Sequence, residues 1–182
     1  MAKDDSWYEI VEGQDLEQGD LIENCPVYVP EYSVNVVEDP ESDRTYQINA
    51  NQYTYDIVVM SQSCDLGHGK IEYVVACPYW SLEELSDKYS QFRSKKEYEK
   101  IRRGDTRNLH MLNNCILDGM SSGIKIIDFR TTFTVPYLFL IQFAESQGKR
   151  LRLLSPYREQ MSHAFGNFFS RVGLPRDIPP FR

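Results

Sequence analysis

The chain has 182 residues, of which 41% are hydrophobic and 26% are charged, and its formal net charge is −7. This length is sufficient for one well-packed core, and the composition is that of an ordinary globular protein. The negative net charge excludes broad electrostatic adhesion to nucleic acid or to an anionic membrane, although a local basic patch remains compatible with it.

The sequence predicts a cytoplasmic protein that does not enter a membrane. No apolar run reaches the roughly 18 residues of a membrane span, and the N-terminal segment MAKDDSWYEI lacks the apolar stretch of a signal peptide. The four cysteines contain no close CxxC pair. In a cytosolic chain they are expected to be reduced, small core residues.

The first half of the chain has the pattern of β-strands. A Gly19–Asp20 turn leads into an extended segment that ends at Pro30. Two apolar runs follow, residues 55–61 and 70–80, and both are rich in β-branched residues, as strands buried on two faces are. The glycines of CDLGHG between them predict a strand–turn–strand hairpin with a tight connection and a buried Cys64.

Residues 81–105 are predicted to be helical. Ser81 and Glu84 have the spacing of a capping box. Apolar residues recur at helical spacing with a break near residues 93–95, and Gly104 suits a C-terminal stop.

The chain then returns to β character, and alternating apolar residues indicate strands through YLFLIQF, residues 137–143. The strand KRLRLL is expected to expose one basic face, with Arg150 and Arg152 on it. A last helix begins after Ser155, with Pro156 as its first residue. Its inner face, which covers the barrel end or else binds a partner, comprises Met161, Phe165, Phe168, Phe169 and Val172.

These patterns predict an α+β fold: an SH3-like, partly open β-barrel with a helical insertion and a C-terminal helix. Residues 1–182 are expected to form a single domain. Its parts are a barrel core of about 16–80 and 108–154, the insertion 81–105 and the helix 156–173.

The segment between the two apolar runs carries reactive side chains. Cys64 could be a nucleophile with His68 as its base, and Asp65 could orient the imidazole. A zinc site formed with Cys77 and Cys115 is the alternative, but the spacing is not a usual zinc pattern, and Cys77 lies a strand length from the turn. A plain structural turn is the simplest interpretation. We predict no metal and no cofactor.

Two further sets of residues are candidates for binding. Ser61, Gln62 and Ser63 occupy a strand end, where a barrel displays side chains to a cleft or partner. Arginines in two basic stretches and one aromatic stretch have the charge that phosphate binding needs, although pairing with the many glutamates is the alternative. These arginines are Arg102, Arg103, Arg130 and Arg158. For Arg130, a structural partnership with Asp128 or Glu159 is the competing role.

Residues 18–80 resemble the MazF or PemK family of toxins, which are small SH3-like β-barrels. The matching positions are Gly19, Asp20, Leu21 and Ile22, then Ser61 at the end of IVVMS, then Pro78 at the end of YVVACP. Members that cut RNA use an Arg-Pro pair before the first apolar strand, where this chain has NQYTYD, and a Thr or Ser in the following strand. Here the serine that follows, Ser81, fits a helix cap, so the usual ribonuclease residues do not carry over.

The resemblance implies a toxin-like barrel that binds a macromolecule, either RNA or protein, in a bacterial stress, toxin–antitoxin or phage-defence system. It also implies a homodimer. Two enzymes remain as alternatives: a divergent endoribonuclease, and a Cys–His hydrolase that uses the segment from Ser61 to His68.

Overall fold

The computed structural model describes residues 6–33 and 47–170. This part of the chain has the predicted α+β fold: eight antiparallel strands form an open, unclosed sheet, and five α-helices accompany it. The strands are β1 (Tyr8–Val11), β2 (Asp20–Ser33), β3 (Gln47–Val59), β4 (Tyr73–Ser81), β5 (Leu109–Leu112), β6 (Lys125–Asp128), β7 (Phe133–Pro136) and β8 (Arg150–Leu153). The helices are α1 (Ser63–Leu66), α2 (Leu82–Lys88), α3 (Lys95–Arg102), α4 (Tyr137–Gln147) and α5 (Tyr157–Phe169).

The strand order in the sheet is β1-β8-β2-β3-β4-β6-β5, and β7 also pairs with β4. The predicted β3–β4 hairpin is confirmed, because Ile57 lies opposite Pro78 and Val59 lies opposite Ala76. Ile57, Val58 and Val59 are all fully buried, as expected for a strand covered on both faces.

The connection between β3 and β4 differs from the predicted tight turn. It contains the single helical turn α1, and Leu66 is its buried anchor. Cys64 is exposed, which corrects the prediction of a buried cysteine, whereas the other three cysteines are buried. The physical reason is that one helical turn buries only one side chain in this segment, and leucine has the larger apolar surface.

The helical insertion is confirmed together with its capping box and its break. The Ser81 hydroxyl accepts from the Glu84 N–H at 3.2 Å, and the Glu84 carboxylate accepts from the Ser81 N–H at 2.7 Å. After α2, a 3-10 turn at Ser90–Phe92 leads to α3. Gly104 then ends the helical region with φ of 76°.

The strand predicted over YLFLIQF is wrong, because this segment forms α4. Pro136 ends β7 and precedes the helix. Leu140 and Ala144, four residues apart, are both fully buried on one face. The segment is apolar on nearly every residue, so its pattern did not distinguish a strand from a buried helix.

The C-terminal helix is confirmed over Tyr157–Phe169, so it begins one residue after Pro156. Met161 is fully buried, and Phe165 and Phe168 pack against the same core. Phe169 is 62% exposed, which corrects its assignment to the inner face. The predicted contact of Val172 and the predicted end near residue 173 lie outside the described residues.

The basic face predicted for β8 is also wrong. Arg150 and Arg152 are only 3% and 7% exposed, because both guanidinium groups bind the buried carboxylate of Asp20. The adjacent Gly19 has φ of 88°, and an added Cβ there would lie 2.9 Å from the Leu153 Cβ atom. Glycine at this turn therefore lets β2 pair closely with β8.

Candidate functional site

Helix α5 forms one wall of an elongated surface groove. Its middle part has a volume of about 640 Å³ and lies between α5 and the segment that joins α3 to β5. A narrow end of about 480 Å³ shares His163 and Asn167 with the middle part. A wide end of about 1070 Å³ shares Thr106 and Arg107 with it. We call the three parts together the α5 groove.

The middle part of the α5 groove is basic. Three arginines and two histidines line it, and the described residues that line it include no carboxylate. These side chains are Arg102, Arg103, Arg107, His110 and His163. Such a wall favours an anionic ligand, since guanidinium groups bind phosphate or carboxylate oxygens through charge-assisted hydrogen bonds.

The turn after α3 positions the arginines. Ile101 is buried and anchors the last turn of the helix. The Gly104 N–H then bonds to the Ile101 carbonyl at 2.9 Å, and its positive φ redirects the chain toward β5. Arg102 and Arg103 before this turn and Arg107 after it therefore reach the same cleft.

The three arginines differ in how far nearby carboxylates neutralise their charges. The Glu99 carboxylate accepts from Arg102 Nε and Nη2, at 3.0 and 2.8 Å, and lies 3.7 Å from Arg103 Nε. These pairs are solvent-exposed and contribute little to stability. Arg107 is exposed and has neither a hydrogen bond nor an ion pair with any described residue. It is therefore the cation of the groove with the most free capacity for a ligand.

Two histidines from different elements, His110 and His163, line the same cleft. His110 lies on β5, is partly buried, and stacks on Phe129 with ring centroids 6.1 Å apart. Burial lowers the pKa of His110 to about 4, so its imidazole is neutral at pH 7. His163 lies on α5 and is exposed. Sequence reasoning missed both residues, because only the docking of α5 beside β5 brings them together.

The strand-end residues Ser61, Gln62 and Ser63 lie at or beside the narrow end. Gln62 lines the groove. Ser61 and Ser63 hold the local backbone instead: the Ser61 hydroxyl accepts from the Val75 N–H at 2.9 Å, and the Ser63 hydroxyl accepts from the Gln18 N–H at 3.1 Å.

The Cys64, Asp65 and His68 side chains do not line the groove. The Cys64 thiol lies 3.8 Å from the Asp65 carboxylate, and His68 Nδ1 donates to the Cys64 backbone carbonyl at 2.7 Å. The histidine has no hydrogen bond to the sulfur, whereas activation of a thiol by a base requires one. The catalytic role of this triad stays a prediction.

The other two predicted arginines are held by carboxylates. Arg130 lines the wide end of the groove and binds Asp128 through Nε and Nη2, at 2.9 and 2.7 Å. Arg158 does not line the groove; it pairs with Glu17 at 3.0 Å and with Glu159, a residue of the narrow end, at 3.2 Å. The structure therefore brings Arg130 together with Gln62, Arg102 and Arg103 along one surface, and leaves Arg158 in a separate network.

Comparison with known proteins identifies no relative of this chain: no family model, no curated protein and no solved structure matches it. Within residues 6–33 and 47–170, no group of three or more His, Cys, Asp or Glu side chains is arranged to hold a metal ion. In the same part of the chain, no helix has both the length and the apolar composition needed to cross a bilayer.

Proposed function

We propose that this protein binds single-stranded RNA through the α5 groove, as a toxin-like barrel of a bacterial stress, toxin–antitoxin or phage-defence system. The observation that carries the proposal is the lining of the middle part of the groove, which has Arg102, Arg103, Arg107, His110 and His163 and no carboxylate among the described residues. Carboxylates line only its two ends, with Glu159 at the narrow end and Glu97 and Asp105 at the wide end. The biological setting follows from the resemblance of residues 18–80 to toxin barrels.

The chemistry of the groove suits a flexible phosphate backbone. Arginine forks bind phosphate oxygens in pairs, and the amides of Gln160 and Asn167 add neutral donors and acceptors on the opposite wall. Phe168 is partly exposed at the wide end, beside Arg107 and Arg130, and adds apolar surface next to these cations. A concave cleft of this kind admits a single strand more readily than a rigid duplex.

The test is fluorescence anisotropy with a short, labelled single-stranded RNA. We expect Arg107→Ala to weaken binding about tenfold, which corresponds to one charge-assisted phosphate contact. Combining it with Arg102→Ala and Arg103→Ala should abolish measurable binding. Arg93→Ala is the matched control, because Arg93 is exposed, does not line the groove and carries the same charge.

Equal weakening by Arg93→Ala and Arg107→Ala would contradict a groove-specific site. If RNA does not bind and an acidic peptide binds in a manner that depends on Arg107, the ligand of the groove is a protein and not RNA.

A second function, a divergent endoribonuclease, is favoured by one observation: His110 and His163 line the same cleft as Arg107. RNA cleavage needs a base that takes the proton of the 2′-hydroxyl, whose oxygen then attacks phosphorus. It also needs an acid that protonates the departing 5′-oxygen, and a cation beside the phosphate. The imidazole of His110 is neutral at pH 7 and therefore has a lone pair that can take this proton.

This alternative is tested by incubating RNA with the protein and with its His110→Gln and His163→Gln variants. Either change should abolish cleavage, and an oligonucleotide with a 2′-deoxy sugar at the cut site should resist. His68→Gln and Cys64→Ala are the controls, and both should leave cleavage unchanged. Loss of cleavage in Cys64→Ala alone would favour the Cys–His hydrolase instead.

A further inference from the structure

A second, much smaller pocket lies at the β4–β6 pairing and is separate from the α5 groove. It has a volume of about 40 Å³ and is bounded by residues of β2, β4, β6 and β8 and by α4. Apolar and polar side chains share its wall. Two buried polar groups, the Tyr79 hydroxyl and the Lys125 ammonium, belong to residues that line it.

The Tyr79 hydroxyl has no hydrogen-bond partner among the described residues, although Tyr79 is only 4% exposed. A buried hydroxyl without a partner loses its bonds to water and gains nothing in return, so such groups are rare. Burial also raises the pKa of Tyr79, with the carboxylates of Asp56 and Glu23 adding to the effect. The hydroxyl therefore remains a proton donor at neutral pH.

Lys125 is 6% exposed and has no carboxylate within 4 Å among the described residues. Its ammonium donates to the Ser122 hydroxyl and, at 3.5 Å, to the Gly123 carbonyl. The pKa of Lys125 is lowered, because the effect of burial exceeds the opposing effects of Cys115, Glu23 and Asp56. A lysine this deeply buried is ordinarily paired with an anion, because its charge is costly to remove from water.

The strand register places the two groups on one face. Lys125 lies opposite Ser81, and Tyr79 lies two residues before Ser81 on the same strand. Alternate residues of a strand point to the same side, so the Tyr79 and Lys125 side chains are diagonal neighbours on one face of the sheet.

The charges around the pocket also favour an anion. Lys125, Lys149 and Arg150 line it, against the single carboxylate of Glu23. Arg150 is neutralised by Asp20, which does not line the pocket. Among the lining residues one positive charge is left in excess, and Lys149 is exposed. Asp56 acts on both Tyr79 and Lys125 but does not line the pocket.

We infer that this pocket binds a small monovalent anion, either a halide or the carboxylate of a short organic acid, between the Tyr79 hydroxyl and the Lys125 ammonium. One water needs about 10–15 Å³ measured in this way, so the pocket accommodates about three non-hydrogen atoms. Chloride, bromide and formate fit this limit, whereas sulfate and phosphate do not. The site is independent of the proposed RNA groove.

The experiment is thermal unfolding at constant ionic strength, with sodium gluconate replaced stepwise by sodium bromide or by sodium formate. A ligand that binds only the folded state raises the unfolding midpoint with the logarithm of its concentration above Kd. We expect bromide or formate to raise the midpoint, and sodium sulfate at the same ionic strength to give no saturable rise. The larger of the bromide and formate shifts identifies the class of ligand.

Tyr79→Phe removes only the hydroxyl and should reduce the anion-dependent shift, and Lys125→Met should abolish it. Lys70→Met, at an exposed lysine outside the pocket, is the charge-matched control and should retain the full shift. If Lys125→Met fails to fold, Tyr79→Phe and the anomalous signal of a bromide-soaked crystal decide the question. If the pocket holds only water, the crystal shows no bromide peak and the anion-dependent shift is the same in wild type and Tyr79→Phe. Each of these results would overturn the inference.

Discussion

Asp20 explains how two arginines of β8 come to be buried. Its fully buried carboxylate accepts from Arg150 Nε at 2.8 Å and from Arg152 Nη2 at 3.0 Å. Arg152 also pairs with Glu17 at 2.9 Å, and Glu17 pairs with Arg158 on α5. Because each desolvated charge has a partner, the network links β2, β8 and the last helix.

Replacing Asp20 by Asn should strongly destabilise the fold, because the Arg150 guanidinium would remain buried without a counter-charge and Arg152 would keep only Glu17. We expect a loss of about 3–5 kcal/mol in the free energy of unfolding, measured by urea denaturation. Glu159→Gln, at an exposed pair with Arg158, is the control and should cost less than about 1 kcal/mol. Similar losses in the two variants would show that Asp20 is not a buried ionic centre.

The low pKa of His110, about 4, should make stability depend on pH. Between an unfolded-state pKa of about 6.5 and pH 4, the unfolded chain binds a proton at this residue and the folded chain does not. Stability is therefore lost as pH falls through this interval. His110→Gln should lose less stability than wild type between pH 7.5 and pH 5 in urea titrations, and equal losses would contradict the burial of this imidazole.

At the scale of elements, neighbouring residues determine where α2 begins, whereas the helical form of α4 depends on distant contacts. Ser81 and Glu84 satisfy each other's backbone donors, so the start of α2 was predictable from residues three apart. The α4 segment has few polar positions, so its sequence does not show which side is buried. Its helical form depends on packing of Leu140 and Ala144 against the sheet.

The capping box gives a local prediction. Ser81→Ala should reduce the free energy of unfolding by about 1 kcal/mol, because the N–H of Glu84 loses its acceptor. Ser86→Ala, within the same helix, is the control. It should change stability by less than about 0.5 kcal/mol, since alanine has the higher helix propensity. Urea denaturation of both variants measures the difference, and a larger loss in Ser86→Ala would contradict a role for the cap.

For the whole molecule, the net charge of −7 and the basic middle part of the α5 groove have opposite effects on an RNA ligand. The overall charge repels RNA at long range, whereas the three arginines attract phosphates at short range. Binding should consequently be confined to the groove and should weaken steeply with salt.

We expect a plot of log Kobs against log salt concentration to have a slope of about −2, because three phosphate contacts each contribute about −0.7 on a single strand. Arg107→Ala should reduce the magnitude of the slope by about 0.7, and Arg93→Ala should leave it unchanged. A slope near zero in titrations from low to moderate salt would exclude phosphate contacts as the basis of binding.

The sequence by itself determined the features that depend on near neighbours. The β3–β4 hairpin, the cap at Ser81 and the helical character of the insertion follow from apolar runs and from hydrogen bonds a few residues apart. The reactive types between Ser61 and His68 marked a candidate site, but they did not show that Cys64 is exposed or that His68 binds a backbone carbonyl.

Only the tertiary structure decided the features that depend on distant segments. The burial of Arg150 and Arg152 required Asp20 from 130 or more positions away, and the α5 groove required α5 to dock beside α3 and β5. The same holds for His110 with His163 and for the pocket at Tyr79 and Lys125. The physical reason is that burial and electrostatic surroundings are set by neighbours in space, which a local sequence pattern does not encode.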